Sequence, residues 1–184
     1  MQDWSHVKTE QAYNGWRPIT KETYIHPVTQ KEVKVDILQG FEDSNVIALD
    51  KQGNVIIAKQ FRCGPRQVLK EIPGGMIDNN ETPKQAAIRE LSEEAGYQPG
   101  ALEYLGYTFR EAWRNGKSHY FLATDCIPLT TGQQLDDFEV IEVELITVAE
   151  LISNAKSAKM TDSGGVLLAY DRLKQLEEQY EKTN

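Results

Sequence analysis

The segment Gly75–Tyr97, GMIDNNETPKQAAIRELSEEAGY, decides how the rest of the chain is read. It follows Pro73-Gly74, a strong breaker of regular structure. Thr82 is placed as a helix N-cap, Pro83 as the first helical residue and Gln85 as the other half of a capping box, while Gly96 marks the stop. On a helix turning about 100° per residue, Glu93 falls about 60° to one side of Glu90 and Glu94 about 40° to the other. Three carboxylates therefore share one face. Ala87, Ile88, Leu91 and Ala95 make a separate apolar stripe, expected against a sheet. Like charges at this spacing destabilise an isolated helix, and a divalent cation between them relieves the repulsion. All-oxygen donors select a hard ion, Mg²⁺ or alternatively Mn²⁺, over zinc. Arg89, four residues before Glu93, is placed to pair with it. The competing reading of these carboxylates is a solvated acidic helix face.

Outward from this helix the chain reads as strands. Glu32–Leu38, Asn45–Leu49 and Val55–Phe61 precede it, the last two joined by the Gly-containing loop Asp50–Asn54. A short strand near Val68–Ile72 leads into the breaker. Beyond Gly96, strands are expected at about Leu102–Ala112 and Ser118–Asp125, joined tightly through Asn115-Gly116, and another at Val140–Ile146. Thr147 with Glu150 forms a second capping box opening a short helix. A last helix from about Thr161 has Val166, Ala169, Tyr170, Leu173 and Leu176 on one side, with a charged tail, LEEQYEKTN, expected to fray. The first 20 residues are poor in aliphatics and read as an arm or an edge. Mixed strands with three helices indicate an α+β or a layered α/β/α domain.

With 184 residues, 40% of them hydrophobic and 26% charged, the chain is long enough for one cored domain. Its net charge of −8 argues against a nucleic-acid-coating protein, which carries a basic stripe. No apolar run reaches the roughly 18 residues of a membrane helix, and the start lacks a secretory core. Cys63 and Cys126 have neither zinc-site spacing nor the density of a disulfide scaffold, so a cytoplasmic setting is expected.

The box fits G-x5-E-x7-R-E-U-x-E-E-x-G-U, with U apolar, at Gly75, Glu81, Arg89, Glu90, Leu91, Glu93, Glu94, Gly96 and Tyr97. Chance odds for its seven fixed letters are on the order of one in 10⁸ per position. The segment resembles the Nudix hydrolase signature, departing only in Tyr97 where an aliphatic is usual. The resemblance implies an α/β/α sandwich with a mixed central sheet and a small N-terminal strand arm: residues 1–40 as the arm, 41–184 as the hydrolase domain. It implies metal ligands at Glu90, Glu93, Glu94 and the Gly75 carbonyl, with Glu81 orienting the loop or its arginine.

Lys59-Gln60-Phe61-Arg62 followed by Lys70-Glu71-Ile72-Pro73-Gly74-Gly75 further resembles the ADP-ribose pyrophosphatase branch. There Arg62 would meet the pyrophosphate, Glu71 a ribose and Trp16 the adenine, within a homodimer built through the N-terminal strands. The resemblance sets the general base in the loop Asp136–Glu139, at Glu139 or else Asp137, with Glu139 an alternative additional metal ligand. A proline usual about 15 residues past the box is Ala112 here, so Trp113 and Arg114 are candidates for a modified pocket. The function implied is hydrolysis of a small nucleoside diphosphate derivative, ADP-ribose to AMP and ribose 5-phosphate first. The alternatives are another nucleotide sugar, a dinucleotide, a damaged nucleotide, or nucleotide sensing without catalysis.

Overall fold

The structure is a computed structural model, described for residues 2–183. In chain order its strands are β1 (Ser5–Tyr13), β2 (Ile19–Ile25), β3 (Glu32–Leu38), β4 (Asp43–Asp50), β5 (Val55–Arg62), β6 (Gln67–Glu71), β7 (Gly74–Met76), β8 (Tyr97–Gln98), β9 (Ala101–Phe109), β10 (Lys117–Pro128) and β11 (Ile141–Ile146). The helices are α1 (Pro83–Ala95), α2 (Val148–Lys156) and α3 (Ser163–Thr183). No described helix is long and apolar enough to cross a membrane.

Two compact units emerge. One runs to Glu42 and takes in Phe109–Lys117; the other holds Asp43–Thr108 and the chain from Ser118 onward. The first unit thus takes in a segment from mid-chain as well as the N-terminal strands. That unit is a three-stranded antiparallel sheet in the order β1-β2-β3. Its strand β1 is exposed along all nine residues.

The Asn115-Gly116 expectation is corrected in this unit. The pair does not close a tight hairpin, because its polar groups are engaged with a distant stretch. Asn115 Oδ1 accepts from the Gly40 amide at 2.8 Å and its Nδ2 donates to Gln39 at 2.7 Å. Leu38 donates to the Trp113 carbonyl at 2.8 Å, and Arg114 donates to the Phe41 carbonyl at 2.9 Å. Residues 110–116 therefore form a loop tied to the end of β3.

The second unit is an eight-stranded mixed sheet with the path β11-β5-β4-β10-β8; β6 joins β5, β7 joins β4 and β9 joins β10. The β4–β10 pairing is parallel, and β5 is antiparallel to β4, β6 and β11. The central strands are buried on both faces: Val46–Leu49 and Val55–Ala58 have no exposed surface. On one face Val46, Ala48, Ile56, Phe121 and Ala123 pack against Ala87, Leu91 and Ala95 of α1. On the other, Ile47, Leu49, Ile57 and Leu122 pack against Leu151 of α2 and Val166, Ala169 and Leu173 of α3. This is the expected layered sandwich.

Helix α1 begins and ends where its residues dictate. Thr82 accepts from the Gln85 amide, Gln85 returns the bond, and Gly96 closes the helix at φ +71°. Ile88 departs from the expected stripe and lies 38% exposed; Ala86 is buried instead. Thr147 caps α2 by accepting from the Glu150 amide at 3.1 Å, while the Glu150 carboxylate meets Lys70 at 3.0 Å. The charged tail stays helical through Thr183, because Tyr180 packs against the core and closes over Gly53. Leu91, fully buried between α1 and the sheet, anchors this face. Replacing it with alanine is expected to lower stability by about 2–5 kcal/mol, read as a shifted urea midpoint with unchanged slope.

Candidate functional site

Helix α1 carries Glu90, Glu93 and Glu94, with Glu94 and Glu90 turned toward Gly74 and Gly75 of β7. Arg89 organises them. Its Nε and Nη2 grip both oxygens of Glu81 at 3.0 and 3.1 Å, and Nη2 also donates to the Met76 carbonyl at 2.9 Å. Its Nη1 donates to Glu90 at 2.8 Å and to Glu93 at 2.9 Å. These anions raise the Arg89 pKa above its already high value, the Glu81 hydrogen bonds first among them. Glu81, held in turn by the Asp78 amide, thus orients the arginine.

Glu94 is 3% exposed and Glu90 8%. The Gly74 amide donates to Glu94 Oε2 at 2.8 Å. A Cβ at Gly75 would displace the Glu90 carboxylate from its place beside the β7 backbone. Burial pushes the Glu90 pKa up to about 7 against the opposing charge of Arg89. Burial likewise pushes Glu94 up to about 8, against the Gly74 hydrogen bond and the charge of Arg62.

The charge of Glu139 reaches both Glu90 and Glu94 and raises both values further. The loop from Leu129 to Val140 therefore brings a fourth carboxylate to the helix. The backbone tethers are visible: Gln134 donates to the Glu93 carbonyl at 2.9 Å and Leu129 to the Gly96 carbonyl at 2.7 Å. Gln133 Nε2 reaches the carbonyls of Glu94 at 2.6 Å and Ile141 at 3.2 Å. Glu139 is half-buried and its carboxylate accepts from the Asp136 amide at 3.1 Å; Asp137 is exposed.

Arg62, at the end of β5, pairs with Glu71 on β6. Glu71 has no exposed surface, and its other oxygen accepts from the amide of Thr161 at 3.2 Å and from the Thr161 hydroxyl. Glu71 therefore sits out of solvent in this conformation, with its oxygens occupied, and acts as a strut for Arg62. In this conformation it meets Arg62 and Thr161, where a ribose contact was expected. In the other unit, Trp16 is 74% exposed with the Arg17 guanidinium 4.6 Å from its ring centre. Trp113 is exposed, while Arg114 is engaged in holding the loop described above.

Among the described residues, no three His, Cys, Asp or Glu side chains are gathered into a metal cage. Glu90 and Glu93 instead lend oxygens to Arg89. Their chemistry nevertheless fits a hard cation: two buried carboxylates, a third beside them and the β7 backbone close by. Sequence reasoning did not reach Gln133, Gln134 or Thr161. Each acts through contacts far along the chain, with no local pattern to mark it.

The fold and the carboxylate helix together define a hydrolase of the Nudix class. The family model described as the NUDIX domain matches residues 42–167, and the chain belongs to that family. The chain is similar to the ADP-ribose pyrophosphatase of Bacillus subtilis (strain 168), 30% identical over 119 residues. That match spans 64% of each protein. It is 24% identical over 162 residues to the methanol dehydrogenase activator of Bacillus methanolicus, covering 88% of each. A crystal structure of an ADP compounds hydrolase shares the fold, with a TM-score of 0.80 at 16% identity over 95% of this chain and 96% of that one.

The raised carboxylate values carry a pH signature. Glu90 and Glu94 hold protons in the folded protein that the unfolded chain releases above its ordinary carboxylate pKa, near 4.5. In chelator-treated protein, their contribution is fully present below that value and is lost as pH rises through about 7 and about 8. The melting temperature of metal-free protein should therefore fall between acid and mildly alkaline pH. Added Mg²⁺ should raise it more at the alkaline end, which differential scanning fluorimetry reads directly. A Mg²⁺ effect equal at both ends would contradict the assignment.

Proposed function

We propose that this protein hydrolyses the pyrophosphate bond of a nucleoside diphosphate derivative with Mg²⁺, ADP-ribose being the leading substrate and AMP and ribose 5-phosphate the products. The observation that carries the reading is the buried pair Glu90 and Glu94 beside the Gly75 backbone, within charge reach of Glu139 and Arg62. The names of the relatives, an ADP-ribose pyrophosphatase and an ADP compounds hydrolase, support the substrate class.

In this reading Glu90, Glu93, Glu94 and the Gly75 carbonyl hold the cation, which when bound neutralises the pyrophosphate and favours a hydroxide nucleophile. Glu139 takes the proton from the attacking water as its oxygen bonds to phosphorus and the bridging P–O bond breaks. Arg62, kept in place by Glu71, donates to the pyrophosphate oxygens. Arg89 fixes the rotamers of Glu90 and Glu93. Trp16 offers an exposed ring for the adenine face, and a second copy of the chain docks on the N-terminal sheet, where Trp4, Val7 and Tyr13 are exposed. Another nucleotide sugar is the second reading, favoured by Ala112 standing where the resembled branch usually has proline.

A panel of such compounds incubated with Mg²⁺, with products identified by phosphorus NMR, tests the class; no turnover of any of them would sink it. Glu94→Gln should lower kcat by on the order of 10³ while the circular dichroism spectrum and the melting temperature of metal-free protein are kept or improved. Near-normal turnover in that variant would remove Glu94 from the metal set.

A further inference from the structure

One buried donor in the site face is unexplained. The side-chain amide nitrogen of Gln60 is shielded from water and has no hydrogen-bond partner among the described residues. Buried polar atoms are nearly always paired, so an orphan of this kind calls for a partner. Strand alternation locates it. Ile56 faces α1 while Val55 and Ile57 face α2 and α3, which puts Gln60 and Arg62 on the α1 side of β5 and Phe61 on the other.

The neighbouring strand stops short of this point. Strand β11 pairs with β5 from Ile146 opposite Val55 to Ile141 opposite Gln60, and ends there. On its other edge β5 continues to pair with β6 through Phe61 opposite Val68 and Arg62 opposite Gln67. The two residues before Ile141 are Val140 and Glu139. Val140 is 87% exposed, and Phe61 and Val68 are each more than half exposed. An antiparallel register continued by two residues places Val140 opposite Phe61 and Glu139 opposite Arg62. Val140 would then lie on the same face as Phe61 and Val68, covering apolar surface. The Glu139 side chain would fall on the α1 face, beside Arg62 and Gln60.

We propose that Gln60 is a positioning residue for Glu139: its unpaired side-chain N–H donates to the Glu139 carboxylate when residues 139–140 add to β11 as substrate binds. The inference rests on the proposed hydrolytic role of Glu139 and specifies how that residue is brought to bear. In the present conformation the Glu139 carboxylate accepts from the Asp136 amide instead, closing a small turn. The added strand residues exchange that turn for the Gln60 and Arg62 donors.

Two variants test this. Gln60→Leu keeps the buried volume and removes the donor; it should lower kcat about tenfold or more with KM within about twofold and stability unchanged or raised. Val140→Asp puts a charge at a position now in water, so the melting temperature should not move. It should nevertheless lower kcat about tenfold by opposing the contact with Phe61. Hydrogen exchange in Mg²⁺ with the α,β-methylene analogue of ADP-ribose should show new protection in the Glu139–Val140 segment of the wild type, at the one of these two amides that turns toward β5, lost in Val140→Asp. A wild type that turns over no nucleoside diphosphate derivative overturns both readings. An active wild type in which Val140→Asp keeps full kcat, or in which neither amide gains protection, overturns the strand extension and the role of Gln60 alone.

Discussion

Everything at this site depends on keeping three carboxylates on one helix face without a cation present. Arg89 does it. A single guanidinium spans Glu81, Glu90, Glu93 and the Met76 carbonyl, so one positive charge offsets several negative ones and fixes the loop before α1 at the same time. Planar, forked donors suit that task in a way a lysine ammonium does not. The repulsion that would unwind an isolated helix becomes tolerable because α1 is pinned elsewhere, by Ala87, Leu91 and Ala95 against the sheet and by caps at both ends. Packing supplies the stability; the acidic face is then available for chemistry.

Much of this was legible in sequence because its causes are local. Capping, proline at the first turn, a glycine stop and the 3.6-residue period are decided within a few residues, and α1 obeys them from Thr82 to Gly96. The buried strands β4 and β5 announced themselves as apolar runs. By contrast, β1 reads SHVKTEQAY, has no buried face and so left no alternation to detect. Asn115-Gly116 carried a genuine turn signal, overridden by bonds to Gln39 and Gly40.

The same division holds for the site. Glu90, Glu93, Glu94 and Arg89 were recognisable from spacing, and Arg89 does pair with Glu93 four residues on. The state of Glu71 was not recognisable, since its partner Thr161 lies 90 residues away. Gln133 and Gln134 were equally silent: two glutamines in a polar loop look like any others until their contacts with the carbonyls at the end of α1 are seen. Residues that perform chemistry follow a chemical pattern. Residues that hold them from distant segments, as Thr161 and Gln133 do, follow only the tertiary fold.

The loop at 110–116 has one more consequence, and it concerns synthesis. The bond between Gly40 and Asn115 joins residues 75 apart, and the first unit is completed only by Phe109–Lys117. A chain emerging from the ribosome therefore cannot complete its first unit before β4 through β9 have been made. Only the end of β3 waits, and a fragment ending before Phe109 would leave it with unmet donors at Leu38 and Gly40.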